Sequence, residues 1–134
     1  MKKLILVLSF LFFNYTFSQN FIGTWKVKEI SDSKETEAMK KMMSDVFLNS
    51  EFTFTSDKKF QFVTPSKSRA SHELTDEFSK TSWILNPKNQ LISIGSKKDN
   101  YTILGIFYKE IDGKMYFQPQ EFNYIFKMEK VVKE

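Results

Sequence analysis

A chain of 134 residues, 41% hydrophobic and 16% aromatic, has the material for one domain with a single core. Its 20 basic and 16 acidic residues leave a net charge of +4 with no basic block, which excludes the clustered positive charge of a nucleic-acid footprint. The absence of cysteine excludes disulfides, zinc–cysteine sites, thiol nucleophiles, redox pairs and a lipid-modified cysteine.

The first segment reads as a leader. Met1-Lys2-Lys3 is a short basic start, and Leu4 to Phe13 (LILVLSFLFF) is an almost unbroken apolar run. Thr16-Phe17-Ser18 then places small residues at the two positions a signal peptidase reads. The run is short for a membrane span, and the pattern over residues 1–18 is that of a secretory signal. Its removal leaves residues 19–134 as one domain. It also takes away two lysines, lowering the net charge from +4 to +2, and 4 of the 15 phenylalanines. The expectation is an exported protein, periplasmic or extracellular. It carries no lipid anchor, and its mature chain makes no stable membrane insertion.

Phe21 to Ile30 (FIGTWKVKEI) has period-two alternation, with Trp25 and Val27 on one side and Lys26 and Lys28 on the other. This is a strand with one wet and one buried face. Burying the indole removes roughly 150–250 Å² from water, on the order of 4–6 kcal/mol at ~25 cal/mol/Å². The rest of the chain must build a wall against it.

After Ile30 the period changes. Ser31-Asp32-Ser33 offers N-cap oxygens, and Glu35 and Glu37 suit the positive end of a helix. Ala38, Met39, Met42, Met43, Val46 and Phe47 form one helical stripe, and the spacing predicts a helix from Ser33 to Leu48. Phe52 and Phe54, then Phe60 and Phe62, alternate with polar residues around the turn Ser56-Asp57-Lys58, predicting a hairpin with four phenylalanines on one face. Pro65 to Lys80 is polar, holds Arg69 and His72, the sole arginine and histidine, and reads as a long loop, within which Leu74 and Phe78 are spaced to face one side of a helical turn or two.

Five more strands follow. They are 81–86 with Trp83 and Leu85 on one face, 90–95, 101–109 beginning at Tyr101, 114–118, and 122–130 with Phe122, Tyr124, Phe126 and Met128 inward. Gly105 hints at a bulge or bend in the third of them, and Asp112-Gly113 is a two-residue hairpin signal. With 21–30, 50–56 and 59–64 the count is eight. The predicted fold is all-β, an eight-stranded antiparallel up-and-down barrel with one helix between the first and second strands. Such a barrel closes on itself and abolishes exposed edges.

Gly23-Thr24-Trp25, opening the first strand of an eight-stranded meander just past a leader, resembles the glycine-x-tryptophan signature of the lipocalins. The mature chain is similar to the small lipocalin-like domains of exported bacterial proteins. The resemblance implies that Gly23 and Trp25 are structural, the indole lying near the closed end of the barrel. It also implies a cation from the last strand over that indole. The family usually has an arginine there, where this chain offers Lys127 or Lys130. The helix between the first two strands is more similar to the lid of fatty-acid-binding proteins.

Catalytic chemistry finds no support. His72 with Glu73, Asp76 and Glu77 reads as a solvated face, and neither a Gly-x-Ser-x-Gly elbow nor a glycine-rich phosphate loop occurs. No metal and no cofactor is expected, and the chain reads as a non-enzyme. The inward aromatics leave two readings open, since eight strands enclose either packed side chains or one small ligand. The first is non-covalent binding of a small hydrophobic or amphipathic ligand. Its wall would draw on Phe52, Phe54, Phe60, Phe62, Trp83, Tyr101, Phe117, Tyr124 and Phe126, and its lid on Met42, Met43 and Phe47, around a small cavity. The second is a filled barrel acting as a periplasmic or extracellular protein-interaction module. Oligomeric state has no signature in the sequence.

Overall fold

A computed structural model describes residues 21–31 and 36–132. The leader at 1–18 and the predicted helix start at 33–35 lie outside the described residues. Eight strands close into one barrel in chain order: β1 (Gly23–Ser31), β2 (Glu51–Phe54), β3 (Lys59–Val63), β4 (Thr81–Asn86), β5 (Leu91–Gly95), β6 (Leu104–Ile111), β7 (Lys114–Pro119) and β8 (Ile125–Lys130). Each is antiparallel to its neighbours, and β8 pairs back onto β1 through Val27 and Met128.

The side-chain alternation does what the sequence pattern demands. Phe52 and Phe54 of β2 and Phe60 and Phe62 of β3 are all buried, and Phe52 stands opposite Phe62 in the ladder. Trp83, Ile92, Ile94, Ile106, Phe117 and Phe126 are wholly buried. On β1 the register against β8 shifts between Val27 and Glu29. The extra residue, Lys28, turns the strand by one position. Val27 and Ile30 therefore both pack on the core, although they are three residues apart.

Two helices, not one, are present among the described residues. Helix α1 (Glu37–Phe47) joins β1 to β2 and is capped by Thr36, whose Oγ1 accepts the Met39 N–H at 3.3 Å. Helix α2 (Arg69–Phe78) lies where a loop is expected, between β3 and β4. Ser68 caps it by accepting the Ser71 N–H at 3.2 Å, and Ser71 and Phe78 are its buried residues, with Leu74 partly buried. The spacing 71, 74, 78 is helical. Leu74 and Phe78 carry that spacing in the sequence, but the third member is a serine, so the stripe is too short to mark a helix. Arg69 pairs with Glu73 one turn on, at 3.2 Å and in solvent.

Both helices sit at one end of the barrel, with the 96–103 and 120–124 connections. At the other end the strands join through the tight turns at 55–58, 87–90 and 112–113. The β3–β4 seam is short, pairing at Lys59–Ser82 and Phe60–Thr81. Beyond Phe60 the wall is completed by Phe78 of α2, whose ring stands edge-on to Phe60 at 5.6 Å and to Phe62 at 5.8 Å.

Two strand starts differ from expectation for a backbone reason. Residues 101–103 are not strand, because Asn100 and Tyr101 take φ of 60° and 55°, a left-handed turn that a ladder does not accept. Asp99 holds that turn. Its carboxylate accepts the Ser96 N–H at 3.0 Å, the Ser96 hydroxyl at 2.7 Å and the Thr102 N–H at 3.1 Å. These bonds, the Ser96 backbone one foremost, keep the Asp99 carboxyl below its ordinary range. Gly95 makes room for the turn, since a Cβ there would stand 2.7 Å from the Tyr101 Cα. Likewise 122–124 turn before β8 begins, with the Phe122 N–H bonded to Pro119 O at 3.3 Å.

Candidate functional site

At the hairpin end the interior is filled by buried, mutually contacting rings. Phe21 enters beneath the barrel and is buried, its ring edge-on to Tyr108 at 4.5 Å. Its carbonyl accepts the Trp25 indole N–H at 3.1 Å. Phe54, Phe117 and Trp83 fill the space above, with Phe54 5.5 Å from Trp83 and 6.2 Å from Phe117. The Trp83 indole N–H is bonded to Thr55 O at 3.1 Å, and the Lys58 ammonium lies 4.1 Å from its ring. These rings are buried and in contact with one another.

The same end holds the residues of the opening motif. Gly23 has a φ of +133°, outside the range that other residues tolerate, and a Cβ there would lie 3.1 Å from the Lys130 side chain. The Lys130 ammonium stands 5.6 Å from the centre of the Trp25 ring, within reach of a cation–π attraction. Lys127 turns elsewhere and faces Glu29 at 3.8 Å.

At the helix end the rings touch one another around a gap. They leave a cavity of about 100 Å³. Its floor and walls are Phe52, Phe60, Phe62 and Phe126. Phe47 from α1 and Phe78 and Leu74 from α2 cover it, and Ile103, Leu104, Pro119 and Phe122 close the far side. Glu77 and Glu121 stand at its rim. Phe47 is held in place by ring contacts at 5.3 Å to Phe126 and 5.8 Å to Phe62. Three hydroxyl bonds anchor the helices to the strands. Ser50 Oγ donates to Phe47 O at 2.6 Å, Thr64 Oγ1 to Val46 O at 2.6 Å, and Thr81 Oγ1 to Phe78 O at 2.7 Å. Each satisfies a carbonyl that the end of a helix leaves without an intrahelical partner.

The predicted site residues therefore divide. Phe47, Phe52, Phe60, Phe62 and Phe126 line the cavity. Phe54, Trp83 and Phe117 belong to the solid half. Met43 is buried beneath α1, whereas Met42 is 45% exposed on its outer face and Met39 38%, so the methionine stripe is split across the helix. Tyr101 stands in the left-handed turn, half-buried, and is not barrel lining. Tyr124 is buried beside α1, against a separate dent bounded by Ile30, Lys40 and Leu48. The predicted lining omits Ile103, Leu104, Pro119 and the two rim carboxylates, and it leaves Leu74 and Phe78 in the polar loop. The helical spacing of Leu74 and Phe78 within the polar segment is the signal for those two, and it is visible in the sequence.

A larger concavity of about 840 Å³ runs around the outside of the hairpin end, past Lys28, Glu29, Glu110, Lys114 and Lys127. It is open to solvent and carries both signs of charge, so it lacks the apolar enclosure that holds a small molecule. His72 is exposed, and among the described residues no three of His, Asp and Glu come together as metal ligands. No helix among them is long and apolar enough to cross a membrane. No family model, curated protein or solved structure matches the chain.

Proposed function

We propose that this chain is an exported, lipocalin-like up-and-down barrel that binds a small hydrophobic or amphipathic molecule non-covalently at its helix-covered end. The observation that carries the reading is the aromatic-walled cavity under α1 and α2, set in a barrel whose other end is packed solid. Enclosed apolar space is costly to leave empty and attracts apolar matter. A cavity of about 150 Å³ lined by similar side chains stays dry and takes up benzene. At about 100 Å³ the space lies well below the ~300–1,000 Å³ of drug-sized pockets, so the buried part of the ligand is short. The lipocalin-like assignment draws support from Gly23, Trp25 and Lys130, where the lysine stands over the indole in the place the family gives to arginine. Export rests on the leader pattern at 1–18.

A filled barrel serving as a protein-interaction module draws on a different observation. Phe107, Ile111 and Ile125 are 40–45% exposed and share an outer groove with Tyr116. Native mass spectrometry of protein purified from its own host separates the two. A co-purifying small mass supports the ligand reading. A bare chain, together with failure of any small apolar probe to bind, ends it.

A further inference from the structure

The rim of the cavity carries information about the ligand's head. Every residue lining the space is apolar except two, and both of these are carboxylates. Glu77 comes from α2 and Glu121 from the turn after β7, so they reach the rim from separate elements. Among the described residues neither has an ion-pair partner. The ion pairs formed by these residues engage Glu37, Glu73 and Glu29 instead. No lysine or arginine lines the cavity, although the chain has 20 basic residues against 16 acidic. The outer groove at the opposite end mixes both signs, with Lys28, Lys114, Lys127 and Lys130 beside Glu29, Glu110 and Glu129.

We propose that the cavity takes a molecule with a short apolar body and a cationic head, the body among Phe47, Phe62, Phe78 and Phe126 and the head against Glu77 and Glu121. This rests on the ligand-binding reading above. A carboxylate only accepts hydrogen bonds, and an ammonium only donates them, in three directions. An ammonium at the rim therefore finds carboxylate acceptors while its chain enters the apolar space. A carboxylate head would meet two like charges there, and an alcohol would gain a hydrogen bond without the charge. The volume limits the buried body to roughly four to six carbons, by comparison with the ~150 Å³ that holds benzene. Because the acids face solvent on one side, their preference is modest and sensitive to salt.

The test is a ligand-observed NMR titration of the full chain at neutral pH with pentylamine, pentanol and pentanoate, which share one body and differ in the head. We expect pentylamine to bind about three- to tenfold more tightly than pentanol, with pentanoate weakest, and the gap to close near 1 M salt. In the double variant Glu77→Gln/Glu121→Gln the amine should fall to the affinity of the alcohol while the alcohol is unchanged. Pentanoate binding as well as pentylamine, or a gap that survives in the double variant, overturns the cationic-head inference and leaves the apolar site standing. Absence of binding by all three probes overturns the ligand reading and this inference with it.

Discussion

The two ends of this barrel are made from the same strands and the same kind of side chain, yet one is solid and the other hollow. At the hairpin end the connections are a few residues long, so neighbouring strands stay in register to their tips and their rings interdigitate. Phe21 and Trp25 then fill what remains. At the helix end β1 and β2 are joined through α1, and β3 and β4 through α2. A helix lies on a barrel mouth as a cylinder on a ring. Its side chains reach inward only from one stripe, and Phe47 and Phe78 cannot fill the circle between them. The cavity is thus a consequence of connection length. Aromatic content alone does not distinguish the ends.

The sharpest way to break this contrast is to remove one ring from each half. Phe117→Ala deletes a wholly buried ring that touches Phe21, Trp25, Phe52 and Phe54. We expect a loss of about 4–5 kcal/mol in a urea titration. Phe78→Ala merely enlarges an existing space and should cost less, at the lower end of the same range, about 3 kcal/mol. Equal losses would show that the hollow end is packed as tightly as the solid one. Gly95→Ala comes next. The added methyl presses on the Tyr101 backbone and should cost about 1–3 kcal/mol as the Asp99 turn is displaced. Shifts at Ile103 and Leu104, with the hairpin-end resonances unmoved, would confirm that the strain stays local.

Smaller effects sharpen the same line. Ser68→Ala removes the cap of α2 and should cost ~1 kcal/mol. Amide exchange should speed up across Arg69–Phe78 while the β6–β7 hairpin is unaffected. Lys130→Ala, at the other end, should cost about 0.5–1 kcal/mol through the loss of its contact with Trp25, with Lys130→Arg restoring it. The smallest effect is one of pH. Asp99 is held below its ordinary value of 3.8, so the folded state binds its proton less readily than the unfolded state. Its contribution is complete above pH 3.8 and fades as the pH falls through the lower, folded value. An acid titration of Asp99→Asn should show a shallower decline in that window. An unchanged slope would mean that the turn does not depend on the charge.

Much of the scaffold could be read from the chain. The alternation of Phe52, Phe54, Phe60 and Phe62 dictates a hairpin with one buried face, and Asp112-Gly113 dictates a turn, because both depend on neighbours in sequence. What escaped reading depends on side-chain contacts that hydrophobic periodicity does not record. Helix α2 has little apolar content of its own, and its burial is decided by the gap in the β3–β4 seam that Phe78 fills. The start of β6 moved to Leu104 because Asp99 captures three donors and bends the backbone at Tyr101. Met42 and Met43 are adjacent and chemically alike. Only the rotation of α1 against the barrel sends one inward and the other into solvent.

Local periodicity was enough to determine that eight segments would pair and bury a wall of rings, since the buried face of most strands, β2 and β3 above all, is written in every second residue. The placement of the cavity was decided only when the barrel closed. The void is the difference between the width of the mouth and the reach of two helices, and that difference belongs to no single segment. The same holds for Glu77 and Glu121, 44 residues apart by number, which come to one rim because the barrel's closure and α2's docking bring their separate elements there.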